Sequence, residues 1–289
     1  MVQVGDWHIQ SVVTGSIRLD GGAMFGVVPK TLWSKTQDVD DQNRILLATR
    51  TLLAVDRARG RIVLVDTGSG SKWDAKQATR YCVDYDTQAI DDALHELGVG
   101  AADVTDVVAP HLHFDHAGGM TEWADQPGGP IRLRFPGANH WVHRRHWEYA
   151  HNPSVRDRAS FFPDNFVPLA DAGVASLVEG DSPWCPIDRM QWWLSHGHTP
   201  YQMLPLFESG DDSRDVLFVG DLIPTAAHLP LAWNMAYDLL PLVVVSERQE
   251  VYRRCREEGL ALAFPHDPHN GMVVLEFDRD KPKVKETLG

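Results

Sequence analysis

The residues best placed to do chemistry lie between Ala109 and Gly119. His111, His113, Asp115 and His116 put three imidazoles and a carboxylate within six positions. Metals of borderline hardness, zinc among them, take imidazole nitrogen and carboxylate oxygen readily. Four ligands this close cannot all saturate one tetrahedral ion and still leave it an open position. The spacing suits two adjacent ions, with His111 and His113 on one and Asp115 and His116 on the other. Asp106–Ala109 is a short apolar run that reads as a buried strand, and Gly118-Gly119 behind the cluster allows a tight turn. The cluster therefore sits on a loop leaving a strand end, where the backbone can bend several side chains toward one point.

The pattern His111-x-His113-x-Asp115-His116 resembles the signature of the metallo-β-lactamase superfamily of hydrolases, and four further marks agree. Arg61–Val65 reads as a strand ending in Asp66-Thr67-Gly68. The resemblance gives Asp66 the task of hydrogen bonding to the metal loop without binding metal itself. Met190–Leu194 ends in Ser195-His196-Gly197-His198-Thr199-Pro200, where His198 matches the family ligand and His196 competes with it. The family usually continues with Gly-His, and this chain has Tyr201-Gln202, a departure in the packing behind the ligand. Val216–Val219 runs into Gly220-Asp221, whose carboxylate would bridge the two metals. Leu260–Phe264 runs into Pro265-His266, with His269 as the rival to His266.

The resemblance spans roughly residues 45 to 270. It implies an α/β chain folded as an αββα sandwich, two mixed sheets face to face with helices outside, and 1–289 is read as one such hydrolase domain. Metal one would have His111, His113 and His198, metal two would have Asp115, His116 and His266, and Asp221 would belong to both. Two divalent ions are implied, zinc first, with manganese, cobalt or iron as substitutes. They would share a hydroxide, since metal binding lowers the pKa of water to about 7. Asp115 would carry the proton, and no Ser or Cys nucleophile is required. The antibiotic-cleaving zinc β-lactamases usually have Cys where this chain has Asp221, so antibiotic hydrolysis is disfavoured.

Gly21–Lys30 together with the loop His-Leu-His-Phe-Asp-His-Ala-Gly-Gly resembles the branch that holds quorum-quenching N-acyl-homoserine lactonases and methyl parathion hydrolase. A lactone or ester is therefore the expected small-molecule substrate. A phosphotriesterase and a glyoxalase II-like thioesterase are the enzymatic alternatives, and a metal-binding module without catalysis is the third. Met24, Phe25, Trp33, Phe114 and Trp233 would contact an acyl chain, the plainer reading for each being the core. The arm Gly21–Trp33 would pack in a homodimer or against its own core.

Other elements follow from pattern. Asp6–Leu19 and Ile45–Val55 read as strands, the latter joined to Arg61–Val65 by Arg57–Gly60. Thr87–Leu97 puts Ile90, Leu94 and Leu97 on one helical face before Gly98. Asn139–Phe162 holds His140, His143, His146 and His151, read as the polar face of a surface helix in preference to a further metal site. Tyr201–Phe207 and Val216–Val219 read as strands around the polar turn Glu208–Asp215. Ser246–Glu258 reads as a helix opened by a capping box of Ser246 and Gln249. The charged tail from Asp278 reads as exposed.

Composition narrows the partners. With 43% hydrophobic and 23% charged residues the chain has the makeup of a globular protein. A net charge of −13 disfavours nucleic acid and anionic membranes. Pro224–Val245 is apolar but broken by Pro230, Asp238 and Pro241, so it reads as a loop and short helix lining a pocket. A membrane span would need about 20 nearly uninterrupted apolar residues. Cys82, Cys185 and Cys255 are far apart and read as reduced thiols, and with no export signal visible the cytoplasm is the expected location.

Overall fold

Strand parity builds the layers. In the computed structural model, which describes residues 1–181, 185–210 and 213–289, the first sheet begins with β1 (Val2–Val4), β2 (Trp7–Asp20), β3 (Arg44–Asp56) and β4 (Arg61–Val65), all antiparallel neighbours. The short β5 (Asp84–Tyr85) pairs with β2. The sheet continues in parallel through β6 (Asp106–Val108), then β9 (Asn139–His143) and β10 (Ala175–Val178), while β7 (Thr121–Trp123) and β8 (Ile131–Leu133) form a separate hairpin. The second sheet has the order β11 (Met190–Ser195), β12 (Gln202–Phe207), β13 (Val216–Phe218), β14 (Ala261–Ala263), β15 (Met272–Asp278) and β16 (Lys281–Leu288). Only its β13–β14 pair is parallel.

Alternate residues of these strands face opposite sides. Leu52, Ala54, Val63 and Val65 point to the second sheet and meet Val216, Phe218, Ala261 and Ala263, with Trp7 and Trp192 filling the space between. Their neighbours Leu53, Val55, Ile62 and Leu64 point outward, onto Ile90, Ala93 and Leu94 of helix α4 (Ala89–Glu96). On the other side Leu217, Val219, Leu262 and Phe264 pack under α8 (Pro241–Glu258) through Val244, Val251 and Tyr252. Each fully buried Val, Leu, Ile or Phe among them contributes about 1.5–3 kcal/mol. The result is the expected α/β sandwich of two mixed sheets with helices outside.

Parallel pairing brings strand C-termini to one edge. Parallel β4 and β6 end in Asp66 and in the loop carrying His111–His116, and parallel β13 and β14 end in Asp221 and His266. Strand β11 runs in the same sense as β13, two antiparallel steps away, so it delivers His198 to that edge. Backbone bonds join the sheets there: Met203 N–H donates to Pro110 O at 2.8 Å, and Ala48 N–H to His266 O at 3.0 Å.

Several expectations need correction. Residues 139–143 form a strand, Arg144–His151 (α6) is α-helical, and Arg158–Ser160 makes a single 3-10 turn. His140, His143 and His146 are buried, so the polar-face reading fails for all but the exposed His151. Helix α8 starts at Pro241, five residues earlier than expected. Proline suits a first helical turn, and Ser246 lies inside the helix, its hydroxyl donating to Val243 O, so there is no capping box at Ser246 and Gln249. The tail is exposed, but Lys281–Leu288 forms the edge strand β16. The turn Glu208–Asp215 lies partly outside the described residues. Helices α1 (Gly21–Phe25) and α2 (Lys30–Trp33) pack Met24, Phe25 and Trp33 into this chain's own core. The three cysteines are free, and burial pushes the Cys185 and Cys255 thiols up to about 12. Among the described residues, no helix is long and apolar enough to cross a membrane.

Candidate metal centre

The structure brings the seven expected ligands together in two adjacent groups: His111, His113, His198 and Asp221, and Asp115, His116 and His266. All seven are buried. Asp115 and His116 are consecutive residues in a single helical turn, α5 (Phe114–Ala117), with His113 just before it. Asp221 faces both groups. Its Oδ2 lies 3.2 Å from His198 Nε2, and its Oδ1 lies 3.3 Å from His116 Nε2 and 3.2 Å from His266 Nε2. Neither rival joins the groups: His196 accepts from the Tyr201 N–H, and His269 donates its own N–H to Asp267.

Three of the imidazoles have their outer nitrogen engaged. His116 Nδ1 donates to Asp66 Oδ2 at 2.5 Å, His198 Nδ1 to Asp238 Oδ1 at 3.0 Å, and His266 Nδ1 to the Ala48 carbonyl at 2.9 Å. In the neutral rings Nε2 is then a bare lone pair directed inward. The inward nitrogens converge: His266 Nε2 is 3.1 Å from His116 Nε2, and His198 Nε2 is 3.2 Å from His113 Nδ1, which lies 3.0 Å from His111 Nε2. Bare nitrogens this close repel unless a proton or a cation lies between them. The set of imidazole nitrogens and carboxylate oxygens fits a pair of divalent ions of zinc's type.

Charge in the protein alone follows the same geometry. Burial disfavours a cationic ring at His116, yet Asp66, Asp221 and Asp115 raise it well above the usual histidine range. Burial likewise opposes charge on His198 and His266, and Asp221 with its neighbours raises both. His111 and His113 are pushed well below by burial and by the surrounding imidazoles. Burial also opposes ionisation of Asp221, but His116, His198 and His266 hold its carboxyl well below the ordinary range. Cation uptake must therefore displace protons, as metal sites built on histidine require.

Asp66 sits where expected, outside both groups. One of its oxygens accepts from His116 Nδ1–H and the other from Gly68 N–H at 2.8 Å. Gln202, at the departure from the family spelling, accepts the Asp221 N–H at 3.1 Å. Asp238 and the Ala48 carbonyl were not foreseen. Asp238 is an acid in an apolar stretch, a signal that could have been read, whereas a backbone carbonyl leaves none.

A cavity of about 430 Å3 opens over the centre. His113, Asp115, His198, Asp221 and His266 form its floor, and Leu19, Met24, Leu47, Phe114 and Met235 form apolar wall. Tyr81, Arg156, Asp157, Ala159, Ser160, Ala236 and Tyr237 complete the lining. Two of the five expected pocket residues, Met24 and Phe114, are there. Phe25, Trp33 and Trp233 stand behind the wall: Phe25 is stacked between Trp33 and His228 and meets Trp233 edge-on. The segment after Pro224 does line the pocket, through Met235–Tyr237.

Comparison with known proteins agrees with this geometry. The profile of the Metallo-beta-lactamase superfamily matches residues 51–269, and the chain belongs to that superfamily. It is similar over 100% of both chains to a probable metal-dependent hydrolase from Staphylococcus aureus, with 27% identity and a TM-score of 0.86. It shares the fold of AidC, a dizinc quorum-quenching lactonase, with 17% identity, a TM-score of 0.78, and 100% of this chain and 97% of that one covered. A 57-residue stretch is 44% identical to the N-acyl homoserine lactonase AttM of Azorhizobium caulinodans, covering 20% of this chain and 17% of that protein. The chain thus aligns with well under two thirds of that relative's length.

His266→Ala tests how the groups divide. His266 belongs to the second group only. The variant is expected to keep one metal per chain and lose the other, read by elemental analysis after gel filtration. Two metals retained at parental affinity would refute the division.

Proposed function

We propose that this chain is a dinuclear metal-dependent hydrolase that opens lactone or ester bonds, with N-acyl-homoserine lactones as its substrate. The observation that carries the proposal is the pairing of two ligand groups through Asp221 at the floor of a largely apolar cavity. When bound, two divalent cations supply Lewis acidity and bring the pKa of water down to about 7. His111, His113 and His198 would hold one, Asp115, His116 and His266 the other, and Asp221 both.

The chain's own residues do the rest. Asp66, Asp238 and the Ala48 carbonyl fix the imidazole orientations. Leu19, Met24, Leu47, Phe114 and Met235 exclude water and suit an acyl tail. Asp115 is on the cavity floor, its Oδ2 3.6 Å from His266 Nε2, where it can take up a proton and pass it to the departing ring oxygen. The net charge of −13 disfavours polyanionic substrates. Similarity to the lactonases AidC and AttM supports a lactone substrate.

An apolar cavity suits a neutral phosphotriester equally well, and that is the second reading. The test is kcat/KM for an acyl-homoserine lactone beside an aryl phosphotriester and S-lactoylglutathione, on one zinc-loaded preparation. The lactone is expected to be preferred. A hundredfold preference for the phosphotriester, about 2.7 kcal/mol of transition-state stabilisation, would overturn the lactonase reading and leave the dinuclear centre standing.

A further inference from the structure

The histidine-rich stretch 139–151 has so far no part in the chemistry, and its most buried helical member has the most informative contacts. We propose that His146 is a positioning residue for the first metal group, a strut that ties together the two loops supplying its imidazoles. The ring is fully buried. Its Nε2 accepts the Leu112 N–H at 2.8 Å, the peptide between His111 and His113. Its Nδ1 donates to the Pro200 carbonyl at 2.7 Å, two residues beyond His198. One side chain thus spans from the first sheet's ligand loop to the second sheet's.

Only one form of the ring makes both bonds. A backbone N–H cannot donate to a protonated nitrogen, so Nε2 must be bare, and a carbonyl cannot donate, so Nδ1 must carry the proton. His146 is therefore the neutral Nδ1–H tautomer, and burial pushes its pKa down to about 4. The end of β9 and the first turn of α6 grip the same His198 loop twice more. The His143 ring stacks on Tyr201 at 4.7 Å and 10°. The Arg145 guanidinium lies 5.1 Å over the Tyr201 ring and donates to its hydroxyl. Tyr201 has φ +57°, a left-handed conformation that a bulky side chain adopts only when its surroundings hold it there.

The second group is held by other means, through Asp66 on His116 and the Ala48 carbonyl on His266. Loss of His146 should therefore weaken site one and spare site two. The inference rests on the metal assignment above and not on the substrate, so it is tested by metal binding alone.

Zinc affinity is measured by competition with a chromophoric chelator. In a His266→Ala background, with the second group disabled, titration reads site one. In a His198→Ala background it reads site two. His146→Leu is expected to weaken site one about ten- to hundredfold, the usual cost of losing a residue that orients a metal ligand, with site two changed less than about threefold on the same scale. His146→Gln offers an acceptor and a donor and should recover most of the loss, and His151→Ala, exposed on the same helix, should change nothing. Site-one affinity unaltered by leucine, equal losses at both sites, or glutamine no better than leucine would each overturn the proposal. A His266→Ala parent without affinity at site one would overturn the proposal and the dinuclear reading together. Nitrogen NMR of the unaltered protein decides even if the leucine variant does not fold: a proton on His146 Nδ1 with Nε2 bare is required, and the opposite tautomer or a charged ring at neutral pH sinks the idea.

Discussion

Asp221→Ala is expected to cost the protein both metals at working affinity, and kcat/KM for its substrate on the order of a thousandfold or more, about 4 kcal/mol of transition-state stabilisation. The size follows from position. Each carboxylate oxygen faces a different group, so one substitution takes a ligand from each. His266→Ala by contrast touches one group only. Asp221 is also the shared counter-charge of His116, His198 and His266. The cost therefore falls on both sites at once, and excess zinc should rescue His266→Ala more readily than Asp221→Ala. Elemental analysis and kcat/KM on the same preparations check this. An Asp221→Ala protein with two metals and activity near the parent would remove Asp221 from the bridging position.

The candidate ligands were legible because the chemistry demands particular residue types at strand ends, and both features are written locally. Val65 precedes Asp66, Val219 and Gly220 precede Asp221, and Phe264 and Pro265 precede His266. Runs of buried β residues ending in acid or imidazole need no tertiary information to be noticed. The residues that aim the ligands were not legible. Asp238 is 40 positions from His198, His146 is 34 from Leu112, and Ala48 is 218 from His266, and two of these three bonds use backbone atoms that any residue would offer.

The pocket residues were half legible for a different reason. An aromatic side chain next to the centre reads the same in sequence whether it faces the cavity, as Phe114 does, or stacks behind its wall, as Phe25 does. The histidines of 139–143 were misread because a helical period was laid over a strand. That strand runs parallel between β6 and β10, under cover on both faces, and burial there follows sheet position more than residue polarity.

Gly118→Ala is expected to destabilise the protein by about 3 kcal/mol or more and to open the metal loop. Backbone preference alone gives the opposite sign. Gly118 has φ −60° and ψ −37°, ordinary helical values, so the tight 3-10 turn Gly118–Met120 needs no left-handed residue at this position. Alanine at such a position would stabilise by about 0.4–1 kcal/mol through the unfolded chain. The contact decides otherwise. A Cβ on Gly118 would lie 2.0 Å from the Ser69 carbonyl oxygen, and one on Gly119 would lie 2.3 Å from that of Thr67. These are backbone atoms and cannot swing aside. The strand end carrying Asp66 and the turn carrying His116 lie with their main chains in contact, tied by Gly118 N–H to Gly68 O and Thr67 N–H to His116 O, each at 2.9 Å. That closeness lets the Asp66 carboxylate reach His116. Pushing the segments apart should lengthen that bond and weaken the second metal before the first. The expected melting shift for metal-free protein is roughly 10 °C downward, and a shift within about 2 °C would show that the loops yield at little cost.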